Sequence, residues 1–322
     1  MDIEQLRIRR EERRRAIRRR RLAAGLIAAV AATVAAIVVL ALSSGTGSPS
    51  PRHVALVTRT HAAGAQRATT STASASTGVR DGPPGTDPVP ILMYHVIAAP
   101  PPGAPFPGLY VEPAEFAEQM QALKSAGWHA VTLDQVQAYW RRGVPLGAGK
   151  PIVISFDNGY NSQYTQALPV LRRLGWVGDE NLQLSGLPPS QGGLGSGQIH
   201  GLLAAGWELD TQGISHADLI TLDSEQLRYQ VAVARKTLQQ RYHVPVNWFC
   251  YPSGHYDPTV VAAVKTAGFT GSTTVVPGWA HPGDDPYRLH RLRVLGGTSG
   301  QSLLALVQDT RQAPPTPSSY SA

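Results

Sequence analysis

The chain is 322 residues long, room for one large or two ordinary domains, and 42% of it is apolar, enough for a sizeable core. Its formal charge is +7, but residues 1–21 hold ten Arg against four acids, leaving 19 basic and 18 acidic side chains in the remainder. That near-neutral remainder excludes a nucleic-acid-binding domain, which needs a basic face of its own, and the single Cys250 excludes an intramolecular disulfide.

Residues 22–42 carry no charge and are built almost wholly from Ala, Val, Leu and Ile. A bilayer core takes about 20 helical residues, whereas the apolar part of a removable signal peptide runs to about 7–15. The sequence therefore predicts a transmembrane signal anchor over 22–43. The Arg-rich segment 1–21 before it stays in the cytoplasm by the positive-inside rule, and the rest lies outside the cell membrane. Residues 44–87, rich in Ser, Thr, Ala, Gly and Pro, read as a disordered linker.

Strand and helix signals then alternate. Residues 90–94 predict a strand. Residues 112–126 have helical spacing, with Phe116, Met120 and Leu123 on one face. A strand over 129–133 is followed by a helix from Asp134, a candidate N-cap. Residues 151–156 are an apolar β-rich run, and 163–174 a helix. Residues 177–197, rich in Gly, Pro and Ser but holding Asp179 and Glu180, predict a long loop or weak edge strand. A strand begins at Trp207, a long amphipathic helix spans 224–241, and 247–251, 258–267 and 270–274 read as strand, helix and strand. Residues 313–322, with three Pro, read as a flexible tail. Repeated strand–helix units argue for a parallel sheet or barrel, whose functional groups sit at the C-terminal ends of strands.

Two stretches carry chemistry. Ile154-Ser155-Phe156-Asp157-Asn158-Gly159-Tyr160 reads as a buried strand opening into a tight turn, with an acid and an amide at its tip. Glu208-Leu209-Asp210-Thr211-Gln212-Gly213-Ile214-Ser215-His216-Ala217-Asp218-Leu219 ends in a His-Ala-Asp-Leu run. Together they resemble the first and second motifs of the polysaccharide deacetylases, the family with the NodB-type domain. Val89 to His95 is similar to the start of the subgroup with a Met-Tyr-His signature. Trp248-Phe249-Cys250-Tyr251-Pro252-Ser253-Gly254 is similar to the family's groove-wall motif, and Asp285 to Val294 resembles its late strand.

The resemblance covers residues 88–312 and implies an α/β fold, a distorted (β/α) barrel preceded by one transmembrane helix. It implies Asp157 as general base and His290 as a candidate general acid. It places Asn158, Gln212 and His216 where the family holds a divalent metal, zinc or similar, on one Asp and two His. Such a metal keeps open positions for water and the substrate carbonyl. Here two of the three ligand positions carry neutral amides, which favour a transition metal less than carboxylate or imidazole does. Tyr251, Pro252, Trp248 and His95 are candidate substrate-binding residues, Trp248 and Tyr251 as stacking surfaces and the Tyr251 amide as an oxyanion donor. His95, His200 and His255 are candidate substitute ligands.

Two function classes follow. One is a hydrolase removing acetyl groups from N-acetylated sugars of a cell-envelope polysaccharide such as peptidoglycan. The other is a glycan-binding pseudoenzyme with no metal.

Overall fold

The computed structural model describes residues 82–187, 192–312 and 314–321. Residues 1–81, with the expected anchor and most of the linker, lie outside them. No helix among the described residues is long and apolar enough to cross a membrane.

Eight strands form one sheet: β1 (Ile91–Tyr94), β2 (Trp128–Ala130), β3 (Lys150–Asn158), β4 (Asp179–Leu182), β5 (Glu208–Thr211), β6 (Trp248–Cys250), β7 (Gly271–Thr273) and β8 (Leu292–Arg293). The order is β7-β6-β5-β4-β3-β1-β8, with every pairing parallel. Nine-residue β3 is the spine. Its start pairs with β2, its middle with β1 and its end with β4. A parallel bridge between Thr273 and Leu289 links β7 to the chain entering β8, drawing the two edges of the sheet together.

Helices cover the outside: α1 (Pro113–Ser125), α2 (Leu133–Arg142), α3 (Leu168–Leu174), α4 (Ser196–Ala204), α5 (Ser224–Arg228), α6 (Ala234–Tyr242), α7 (Pro258–Thr266) and α8 (Gly300–Asp309). Thr132, not Asp134, caps α2. Its hydroxyl accepts from Gln135 N while the Gln135 side chain accepts from Thr132 N, the reciprocal arrangement that satisfies two orphan donors. The strand before it ends at Ala130 rather than at Leu133.

Strand alternation sorts the core. On β3, Ile152, Ile154 and Phe156 pack outward against the helices with Phe116, Leu171 and Trp207. Val153 joins a separate inner cluster with Ile91, Trp248 and Leu289. The same parity carries Ser155 and Asp157 inward.

The segment expected as a loop or weak edge contains β4, a fully buried central strand between β3 and β5. Its inward residues are Asp179 and Asn181, so the apolar alternation that marks a strand is absent. The expected flexible tail also lies against the domain. Tyr320 and Tyr256 exchange both backbone hydrogen bonds, and the Tyr256 hydroxyl donates to Pro317 O. At the other end, Gly82 N and Gly85 N donate to the last turn of α2.

Candidate functional site

Asp157 sits near the C-terminal end of β3 and is 1% exposed. Arg291, just before β8, is equally buried and grips it with both ends of the guanidinium. Nη1 donates to Oδ1 at 2.7 Å and Nη2 to Oδ2 at 2.8 Å. Asn181, the register partner of Asp157 on β4, donates Nδ2 to Oδ1 at 2.9 Å. Arg291 also reaches Ser155 Oγ and Thr274 O. Burial alone would push the Asp157 carboxyl upward. The Arg291 charge and hydrogen bonds outweigh that and hold it at about 2, fully ionised. Two further groups touch this pair. Cys250 Sγ lies 3.5 Å from Asp157 Oδ2, its thiol pushed far up by burial and therefore inert. His95 Nε2 lies 3.9 Å from the same oxygen. Burial lowers the imidazole to about 4 against the pull of Asp157, so His95 is neutral at pH 7.

The metal-ligand positions lie around this acid. Asn158 and Gly159 both have positive φ, 80° and 86°, and form the turn that ends β3. Asn tolerates that region better than most residues. Gly159 is required by space as well, since a Cβ there would stand 2.3 Å from Leu182 Cδ1. The Asn158 amide donates Nδ2 to Gln183 Oε1 at 3.0 Å. Gln212 follows β5, is 2% exposed, and its Oε1 is buried with no partner. His216, half-buried at φ 52°, is held neutral by burial, which lowers its pKa. Its loop hangs on Gln230, whose Oε1 accepts from Ile214 N and Ser215 N and whose Nε2 donates to Ser215 Oγ. His255 Nδ1 pairs with Asp218 Oδ1 at 3.1 Å, tying the β6 loop to the His216 loop.

These donors do not fit a tightly held transition-metal ion. They comprise one imidazole and two neutral amides, and the Asn158 amide is already turned to Gln183. The one anion nearby, Asp157, is neutralised by Arg291. The orphaned Gln212 oxygen could accept from a ligand, but as a lone carbonyl it is a weak metal donor. Among the described residues, no trio of His, Cys, Asp or Glu converges at this end of the barrel.

Other candidates fall elsewhere. His290 is the outward neighbour of Arg291, and strand alternation turns it away from Asp157. It faces Pro314 O at 2.9 Å and Asp284 at 3.7 Å, so it is no general acid for this site. Trp248, expected to stack on substrate, is buried in the barrel interior, where its indole donates to Asp134. Tyr251 is 1% exposed, donates its hydroxyl to Tyr287 O and stacks on Tyr256. Its amide is spent on Thr273 O at 3.4 Å, and Pro252 is buried beside it. His200 packs edge-on against Tyr242. Sequence reading missed Arg291, Asn181, Gln183 and Gln230. None of them carried a distinguishing signal: Arg291 stands among Arg288, His290 and Arg293 in a run where charge and apolar residues are mixed.

Beside the site, a cavity of ≈ 410 Å³ opens between the chain after β1 and the chain after β3, lined by Val96, Ile97, Tyr110, Asn161, Ser162 and Thr165 among others.

A family model for polysaccharide deacetylase matches residues 147–272. The chain is 26% identical over 223 residues to YxkH of Bacillus subtilis (strain 168), a protein named as a polysaccharide deacetylase, covering 69% of this chain and 77% of that one. It is 35% identical over 66 residues to the poly-beta-1,6-N-acetyl-D-glucosamine N-deacetylase of Escherichia coli (strain K12), covering 20% of this chain and 10% of that one. The fold superposes on the Streptococcus pyogenes deacetylase PplD in complex with acetate at a TM-score of 0.63, with 23% identity over 71% of this chain and all of that one. With the Asp157 turn, the His216 loop and the parallel barrel in place, this chain is similar to the polysaccharide deacetylases, a family of hydrolases that cleave N-acetyl groups, through the family-model match over residues 147–272 and the shared fold.

Proposed function

We propose that this domain removes acetyl groups from N-acetylated sugars of a cell-envelope polysaccharide such as peptidoglycan. The observation that carries the reading is the Asp157–Arg291 pair. A buried ion pair is a poor device for stability, because desolvation offsets much of the attraction. Buried at a strand's C-terminal end, it is a way to keep an ionised base in one orientation. In the reaction, Asp157 takes a proton from a water whose oxygen adds to the acetamide carbonyl. As the C–N bond breaks, Asp157 returns that proton to the departing nitrogen, and the amine leaves with acetic acid, which ionises to acetate. The Oδ2 lone pair that Arg291 leaves, which also faces Cys250 Sγ at 3.5 Å, is the one that takes the proton from water. With its carboxyl at about 2, Asp157 is a weak base, so turnover is slow. The anchor at 22–43 would hold the domain outside the cell, near that glycan.

A second reading, glycan binding without turnover, is favoured by Asn158 and Gln212 at the two ligand positions. Acetate release from N-acetylated glycan oligosaccharides separates the two. Release that disappears in Asp157→Asn supports the hydrolase. Oligosaccharide binding with no acetate above the Asp157→Asn background establishes the binder.

A further inference from the structure

The N-terminal end of the barrel, opposite Asp157, holds a second polar centre that the deacetylation reading does not use. Asp179 opens β4, Glu208 opens β5 beside it in register, and Asp210 lies two residues further along β5. One oxygen of each carboxylate is fixed by backbone N–H groups. Leu133 N donates to Asp179 Oδ2 and Asp134 N to Glu208 Oε2, both at 2.9 Å, and Trp248 N to Asp210 Oδ1 at 2.8 Å. The other oxygen of each is buried; Glu208 makes side-chain hydrogen bonds with Thr132 and Asp210, and Asp179 Oδ1 has no partner. The three side chains present ligand oxygens that all lie within 4.8 Å of one another.

Acidity alone would not make this a site. The pointer to a ligand is the fully buried Asp179, whose Oδ1 has no partner although its side chain stands within reach of Glu208 and Asp210. Leaving such an atom unsatisfied costs its full desolvation. No Lys, Arg or His among the described residues pairs with these acids. The fourth acid nearby, Asp134, has both oxygens occupied by Asn247 Nδ2 and Trp248 Nε1, so it adds charge and offers no donor. Shared protons could satisfy the three oxygens only pairwise. One cation satisfies all of them at a single point.

We propose that Asp179, Glu208 and Asp210 bind a hard divalent cation of the calcium class at the N-terminal end of the barrel. All-oxygen, carboxylate-rich donor sets select such ions. Oxygens that share one calcium ion at about 2.4 Å stand no further apart than about twice that length, a bound these three meet. Glu208 is the least buried of the three residues. The bound ion pins the start of α2 to β4 and β5, the strands whose far ends carry Asn181 and Gln212.

The test uses the full-length protein, stripped with chelator and titrated with calcium chloride by calorimetry. Terbium chloride provides a second probe, its emission sensitised by the neighbouring Trp248 indole. The expected result is one calcium per chain, competition between the two ions, and an unfolding midpoint raised by about 5–10 °C at calcium about 100-fold above its Kd. Asp179→Asn with Asp210→Asn abolishes binding. Glu208→Gln, at the least buried of the three positions and therefore mildest for folding, weakens it at least tenfold. His216→Ala leaves it unchanged, which separates this site from the rim. Absence of binding up to about 1 mM, the weak end of calcium modules, overturns the proposal and leaves protons as the cluster's neutraliser. Undiminished binding in Glu208→Gln also overturns it.

Discussion

Arg291 and Asp157, 134 residues apart, meet as a two-pronged ion pair at 2.7 and 2.8 Å in the interior of the barrel. The pair spans the closure of the sheet, from β3 to the strand that lies beyond β1. It therefore links the state of the candidate base to the integrity of the barrel.

Replacing Arg291 with Met removes the only full positive charge on that carboxylate. An uncompensated buried charge costs about 3–5 kcal/mol, and burial then drives the Asp157 carboxyl upward. Urea unfolding of Arg291→Met should show a loss of that size. The double variant Arg291→Met with Asp157→Leu should recover most of it. Equal stability of wild type and the single variant would mean the pair does not form.

The pair also sets an acid limit. Asp157 is depressed from an ordinary 3.8 to about 2, so the folded state binds fewer protons than the unfolded chain. Its contribution is present in full above about pH 4 and is lost as the pH falls toward 2. Thermal midpoints between pH 2 and 5 should drop more steeply for wild type than for Asp157→Asn. Parallel curves would contradict this assignment.

Glu180 behaves in the opposite sense. It is buried on β4 with neither carboxylate oxygen hydrogen-bonded, and burial, then the Asp157 charge, raise its pKa far above the ordinary range. The folded state here binds more protons than the unfolded chain, so stability is greatest below about pH 4.5 and declines as the pH rises. Glu180→Gln removes the titration and keeps the shape. It should raise the unfolding midpoint at pH 7–8 and leave it nearly unchanged at pH 4, measured by calorimetry at both.

Restoring the two replaced ligands should create a metal site. Changes to groups merely behind a metal ligand alter affinity about 10–100-fold, so Asn158→Asp with Gln212→His should tighten zinc binding by more than about 100-fold. The carboxylate introduced by Asn158→Asp accepts from the Gln183 side chain once that amide rotates, which keeps the turn intact. Calorimetric titration with zinc chloride gives the comparison. An unchanged affinity would show that Asn158, Gln212 and His216 do not converge.

The stretch from Ile154 to Tyr160 was enough to carry the family resemblance, because a buried β run ending in Asp-Asn-Gly is a local signal. The same local reading placed Asp157 at a strand's C-terminal end and His216 in a loop. It also exposed the exchange of two ligand positions for amides, since that is a matter of residue identity alone. What depended on alternation within short strands was beyond it. A one-residue step decides whether a side chain enters the barrel, and so it is Arg291 that meets Asp157 while His290 turns to Pro314. β4 was illegible for a related reason: its inner face is Asp179 and Asn181, and a strand lining a polar interior lacks the apolar rhythm by which strands are recognised. The sequence thus determined which chemistry this chain descends from. Only the tertiary structure decided which groups surround its acid, because those partners come from β4, β6 and the approach to β8, brought together solely by closure of the sheet.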